Sequence, residues 1–117
     1  MLGIVLAALT TVALGQAYPT KPIRWIVPYP AGGGSDSIAR TIGGPLAASL
    51  GQRVIIDNRP GAATIIGADI TARALPDGYT LATADSATLF FNPYLYSQLP
   101  YDPFQDFAFV AMIGRFP

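Results

Sequence analysis

Residues Ile23 to Val27 (IRWIV) are β-branched and aromatic, and they run straight into the glycine-rich stretch Pro28 to Ser35 (PYPAGGGS). A helical pattern begins at about Asp36. A short buried strand, a loop at its carboxyl end and a helix leading away from that loop are the opening of a parallel α/β unit, because parallel strands need a helical crossover between them. This order constrains the fold more than any other feature of the chain.

The remaining sequence repeats the order. The first helix is predicted over 36–50, where Ile38, Ile42, Leu46 and Leu50 recur every four residues. Gly43-Gly44-Pro45 is a candidate kink, and Gly51 suits the helix end. Val54 to Asp57 (VIID) reads as a second strand, closed by the turn Asn58-Arg59-Pro60-Gly61. A second helix is predicted from about Thr64 to Leu75, with Ile66, Ile70 and Ala74 on one face. Pro76-Asp77-Gly78 is a turn, Tyr79 to Ala84 (YTLATA) a third strand, and Asn92 to Ser97 a short helical segment. Phe107 to Ile113 (FAFVAMI) is predicted as a fourth strand. The expected fold class is α/β, a mostly parallel sheet flanked by helices. Ligands of such sheets collect outside the carboxyl ends of the strands. Two loops leave those ends and lead into helices: Pro28–Ser35 and Asp85–Thr88.

The glycine loop completes no nucleotide or acyl-transfer motif. A phosphate loop needs Lys after its last Gly, whereas Gly34 is followed by Ser35. A dinucleotide fingerprint starting at Gly32 and Gly34 requires Gly at 37, where Ser37 stands. The nucleophile elbow fails at the same residue, since Gly33-Gly34-Ser35-Asp36-Ser37 lacks its closing Gly. An anion is still favoured, because a helix N-terminus exposes unpaired N–H groups and a partial positive charge, and glycines let a ligand approach the backbone. Ser35 or Asp36 is placed to cap the helix, or the Ser35 hydroxyl to face a ligand. With no Lys in the loop the grip is by dipoles, which suits a carboxylate better than a triphosphate. On these residues alone, a capped turn without a ligand is the alternative.

Composition removes several function classes. Seven Lys and Arg balance seven acidic residues, all Asp, and the chain has no His and no Cys. A neutral chain without a basic stretch offers nucleic acid no electrostatic footing. Thiol nucleophiles, imidazole bases and the common zinc or haem ligand sets are absent, so no cofactor and no metal site are expected. An enzyme using Ser35 would need an activating base, and the one lysine, Lys21, precedes the first strand, on the far end from the loops. No catalytic residue is assigned. Charged residues make up 12%, against about 25% in ordinary soluble domains, and part of the deficit lies in Met1 to Leu14 (MLGIVLAALTTVAL). This stretch is shorter than the ~20 residues that span a bilayer. It ends in Gly15-Gln16-Ala17, small residues at the two positions a signal peptidase reads. A secretory leader over 1–17, without a basic n-region, is therefore expected, with a mature chain starting near Tyr18. A buried apolar helix or strand is the alternative.

Five segments in order, YPTKPIRWIVPYPAGGGSDSIAR, LGQRVIIDNRPGA, ALPDGYTLATADS, NPYLY and LPYDPFQDF, resemble the N-terminal part of the Bug family, the TctC-like solute-binding proteins of tripartite tricarboxylate transporters. The resemblance covers Tyr18 to Pro117. It implies a periplasmic binding protein with two α/β lobes, type II-like, of which 18–117 is the N-terminal part of an incomplete first lobe, ending near the crossover to the second. It further implies a binding protein, not an enzyme: one that captures a small organic carboxylate or amino acid and presents it to the membrane subunits of a tripartite tricarboxylate transporter. A sensor that delivers the solute to a signalling partner would share the fold. In the family, the loops after the first and third strands hold a ligand carboxylate, partly through ordered waters. Carried onto this sequence, the first loop gives Tyr29, Ala31, Gly33, Gly34, Ser35 and Asp36, and the second gives Ser86 and Thr88, with Asp85 beside them. Plainer roles stand next to these: Tyr29 covering the core edge, Asp36 as a helix cap, Ser86 and Thr88 capping the following segment.

The sequence departs from the family pattern in places. Ala31 replaces a usual Pro and Ser35 a usual Thr, both mild changes. Ala63-Thr64-Ile65 stands where Gly-Gly-Asn is usual, Ala84 replaces a frequent Gly, and Asp85 occupies a position where small hydroxyl residues are common. A carboxylate at 85 repels a ligand carboxylate unless it is protonated, screened or turned away, or it receives a ligand ammonium group instead. Family members are much longer. A lobe lacking its return segment exposes apolar surface and sheet edges, so the 117-residue chain alone is expected to be marginally stable and to bind weakly.

Overall fold

The computed structural model describes Gly15 and residues 17–115. Apart from Gly15 and Ala17, the leader expected over 1–17 lies outside the described residues. Strand β1 (Ile23–Val27) is followed by helix α1 (Gly34–Leu50), strand β2 (Val54–Asn58), a 3-10 turn (Ala62–Thr64) and helix α2 (Ile65–Ala72). Strand β3 (Thr80–Ala82), a π turn (Ala87–Phe91) and the short helix α3 (Asn92–Leu95) complete the regular structure. The three strands form a parallel sheet in the order β2-β1-β3. Trp25 pairs with Ile56 on one side and Leu81 on the other.

The central place of β1 explains its composition. Ile23, Trp25, Ile26 and Val27 are all buried, which only a strand with neighbours on both edges and cover on both faces achieves. Trp25 and Val27 pack with Ala39 of α1, and Tyr29, Ile42, Leu46, Val54, Ile56 and Leu81 close around them. Ile26 points the opposite way along the pleat, to the face where α2 packs against β1 and β3. On that second face Arg24 donates to Asp57 at 2.7 Å, and Arg59 donates to the other Asp57 oxygen at 2.9 Å.

Several sequence expectations need correction. Helix α1 begins at Gly34, two residues before the predicted start, and runs through Pro45 to a left-handed Gly51. Its buried residues are Asp36, Ala39 and Gly43, while Ile38 is exposed. Small side chains bring the helix close to the sheet: a Cβ on Gly43 would sit 3.5 Å from Ile56. Helix α2 ends at Ala72, short of Leu75, and buries Gly67 and Ala68 while Ile66 is exposed. Phe107 to Ile113 forms no strand, and Phe109, Val110 and Met112 are exposed. A strand needs a ladder partner, and among the described residues this segment meets neither free edge of the sheet. The preceding turn is ordered by its own side chains, with the Asp102 carboxylate accepting the N–H groups of Phe104 and Gln105 at 2.9 and 3.1 Å. No described helix is long and apolar enough to cross a membrane.

Candidate functional site

The loop after β1 turns at Gly32, whose φ of +86° is left-handed, and the Gly33 N–H reaches the Pro30 carbonyl at 3.3 Å. Gly33 is the residue ahead of α1, extended at φ −79° and ψ 175°, and no side chain caps the helix. Ser35 and Asp36 therefore fall inside the first turn, which corrects the expectation that one of them is its cap. The first-turn N–H groups at Gly34, Ser35 and Asp36 are left without a side-chain acceptor. Ala31, Gly33 and Gly34 are exposed and Ser35 is half-buried.

Asp36 faces inward. It is 3% exposed, and its Oδ2 accepts the Gly32 N–H at 2.8 Å and Arg40 Nε at 3.0 Å. Its Oδ1 accepts the Asn58 amide at 3.0 Å, and the same amide nitrogen donates to the Tyr29 carbonyl at 3.1 Å. The hydrogen bond from Arg40, then those from Gly32 and Asn58, hold the Asp36 carboxyl down at about 2. Asp36 thus ties the glycine loop to the end of β2.

The loop after β3 is organised by Asp85. Its Oδ1 accepts the Thr88 N–H at 3.1 Å and the Thr88 hydroxyl at 3.2 Å, and its carbonyl accepts the Leu89 N–H at 2.9 Å. Asp85 thereby caps the helical segment that starts at Ser86, itself already helical and exposed. The other carboxylate oxygen, Oδ2, accepts the Tyr29 hydroxyl, 56 positions away in sequence. Burial, then the hydrogen bond and charge of Asp85, push the Tyr29 phenol up to about 12. The structure therefore brings the two predicted loops together through Tyr29 and Asp85.

Thr88 is 2% exposed and leads into a buried polar network. Its hydroxyl lies 2.9 Å from that of Thr64, and its carbonyl accepts the Tyr101 hydroxyl at 2.7 Å. The Asn92 amide donates to the Ala63 carbonyl at 2.7 Å, and to Thr64 and Tyr101 side-chain oxygens at 3.3 Å each. The sequence reading placed Asn58 in a turn and Asn92 at the start of a helical segment, and gave Thr64 and Tyr101 no part in the site. Their partners lie 9 to 29 positions away, beyond any local pattern. The turn that carries Thr64 is left-handed at three consecutive non-glycine residues, with φ of 47° at Ala62, 52° at Ala63 and 77° at Thr64. Two of those three, Ala63 and Thr64, stand where the resemblance described above implies glycine.

Two concavities elsewhere, of about 550 Å³ beside Tyr96, Tyr101 and Asp106 and about 370 Å³ beside Arg40, Gly44 and Arg53, include no residue of either loop. Among the described residues no group of three or more Asp side chains is gathered as metal ligands would be.

Residues 38–117 match the family model described as tripartite tricarboxylate transporter family receptor, TctC. The chain belongs to the TctC family. This TctC chain is 40% identical over 115 residues to protein BugT of Bordetella pertussis, an alignment covering 97% of this chain and 35% of that protein. It is also 40% identical over 118 residues to a Pseudomonas protein of the tcbD–tcbE intergenic region, covering 98% and 35%. The chain thus spans about a third of the length of these curated relatives. Among solved structures, the periplasmic binding protein BugD superposes with a TM-score of 0.72 at 35% identity, over 76% of this chain and 29% of that one. MatC of Rhodopseudomonas palustris with bound malate gives 0.72 at 35% identity, over 76% and 30%. A second R. palustris protein, solved with adipate, gives 0.70 at 35% identity, over 74% and 29%. The α/β unit of this TctC chain, a parallel sheet flanked by helices, is therefore that of periplasmic binding proteins.

Proposed function

We propose that the protein is an extracytoplasmic receptor that captures a small organic carboxylate and hands it to the membrane subunits of a tripartite tricarboxylate transporter. The observation that carries this reading is the junction of Tyr29 and Asp85, which brings the loops after β1 and β3 together at the carboxyl edge of a parallel sheet. Beside that junction, α1 starts without a side-chain cap, so its first-turn N–H groups are available to an anion. Tyr29, Ala31, Gly33, Gly34, Ser35 and Ser86 are assigned to the ligand side. Asp36, Asp85 and Thr88 hold the loops that carry them. The malate and adipate bound by two structural relatives support a carboxylate as the solute. The residues 1–17 are assigned to export, so protein recovered from the periplasm should begin near Tyr18.

Thermal-shift measurement of the purified protein against malate, adipate and 1,6-hexanediol tests the reading. A carboxylate should raise the melting temperature in a concentration-dependent way and the diol should not. No response to either acid at its highest soluble concentration, where weak binding still registers, or an equal response to the diol, refutes it.

A further inference from the structure

We propose that Asp85 is a positioning residue, which spends both carboxylate oxygens inside the protein to lock the loop after β1 onto the loop after β3. It follows that the site takes carboxylates without requiring an ammonium group on the solute. The inference rests on the carboxylate-receptor reading and deepens it by naming the solute class.

A carboxylate that waits for a ligand cation keeps an oxygen free of internal donors. Asp85 does the reverse. Oδ1 accepts two donors from Thr88, and Oδ2 accepts the Tyr29 hydroxyl. Three donors from its own chain stabilise the charge where it stands. The connection continues inward, since Thr88 meets Thr64, and Asn92 bonds both Thr64 and the carbonyl of Ala63. The ends of β1, β2 and β3 are thereby joined by one continuous set of hydrogen bonds. Among the described residues no buried side-chain nitrogen or oxygen lacks a partner. A network of this kind fixes geometry, and each Asp85 oxygen already holds an internal donor. The polar atoms left for the solute are the α1 first-turn N–H groups and the Ser35 and Ser86 hydroxyls, while Tyr29, its hydroxyl given to Asp85, offers its ring.

Y29F removes the donor and keeps the ring. Asp85→Ser keeps a capping oxygen but is too short to reach Tyr29. Equilibrium dissociation constants should be measured for wild type, both single variants and the double variant. The ligands are the matched pairs succinate and aspartate, glutarate and glutamate, adipate and 2-aminoadipate. Each single variant should weaken the preferred acid about 5- to 20-fold, and the double variant should be no more than about twofold worse than either. The ratio of affinities within each amino and non-amino pair should stay within about twofold throughout. An alkaline absorbance titration supplies a readout independent of solute: the latest-titrating tyrosine should vanish in Y29F and move to lower pH in Asp85→Ser. Selective loss of the amino member in Asp85→Ser, additive effects of the two substitutions, or an unchanged tyrosine titration each overturn the proposal. Wild type that binds none of the six acids refutes the receptor reading and the solute class with it, while the tyrosine titration still decides the Tyr29–Asp85 tie.

Discussion

The side-chain amide of Asn92 donates to the main-chain carbonyl of Ala63 at 2.7 Å, fastening the start of α3 to a turn 29 positions earlier. Asn92 is 1% exposed, and the same nitrogen also approaches Thr64 and Tyr101. Asn92→Ala takes the side-chain donor from the Ala63 carbonyl and removes the longer contacts to Thr64 and Tyr101, a loss of about 1–3 kcal/mol. Urea unfolding followed by the emission of the single, buried tryptophan, Trp25, measures it. A loss under about 0.5 kcal/mol would show that the network contributes nothing to stability.

The left-handed run at Ala62, Ala63 and Thr64 places side chains where L-residues are strained. Thr64 has a compensating hydroxyl contact, whereas Ala63 contributes only its carbonyl. Ala63→Gly relieves about 1–2 kcal/mol of backbone strain and gives back part of it in unfolded-chain entropy. The expected net gain is about 0.5–1 kcal/mol, read as a higher urea midpoint at unchanged slope. A lower midpoint would mean that the turn is not left-handed in solution.

Two helical glycines should respond oppositely to alanine. A Cβ on Gly67 would lie 2.8 Å from the Pro28 Cβ and 3.1 Å from the Arg59 carbonyl, with no flexible side chain to give way. Gly67→Ala should cost about 1–3 kcal/mol and, by pushing on the residue next to Tyr29, weaken solute binding. A Cβ on Gly44 meets nothing within 4 Å, so Gly44→Ala should stabilise α1 by about 0.5–1 kcal/mol and leave binding alone. Calorimetric melting of both variants tests the contrast.

Acid should loosen the glycine loop through Asp36. Hydrogen bonds from Arg40, Gly32 and Asn58 lower its carboxyl from 3.8 to about 2. Because the folded value is the lower one, the stabilisation is complete above the ordinary carboxylate range and disappears as pH falls through about 2. Urea midpoints taken between neutral pH and about pH 2 should therefore fall more steeply for wild type than for Asp36→Asn. Parallel curves would show that Asp36 is not paired in the folded state.

The sheet was largely legible because its signals are local. IRWIV is β1 without a shifted end, β2 extends one residue past the expected Asp57, and Gly51 closes α1 as its backbone freedom suggests. The helix faces were misjudged where packing uses small residues: Ala39, Gly43, Gly67 and Ala68 are buried, and the isoleucines at 38 and 66 are exposed. The left-handed turn was hidden because Ala62, Ala63 and Thr64 carry no sign of positive φ in their side chains. The expected fourth strand was read from its composition, and composition cannot supply a pairing partner. Topology placed loops at the carboxyl ends of β1 and β3, but Gly34–Ser35 and Ser86–Thr88 of the predicted loops are helical, and the Tyr29–Asp85 contact is a tertiary event with no local trace.

The strand that comes first in the chain lies in the middle of the sheet, and this sets a clock on folding. Trp25 cannot give its indole N–H to Thr83, 58 positions onward, until that residue has been made. At about 5–20 residues per second, ribosomal synthesis leaves β1 without its β3 neighbour for about 3–12 seconds. Until β3 emerges the nascent chain cannot complete its sheet, and the central strand waits with one edge open.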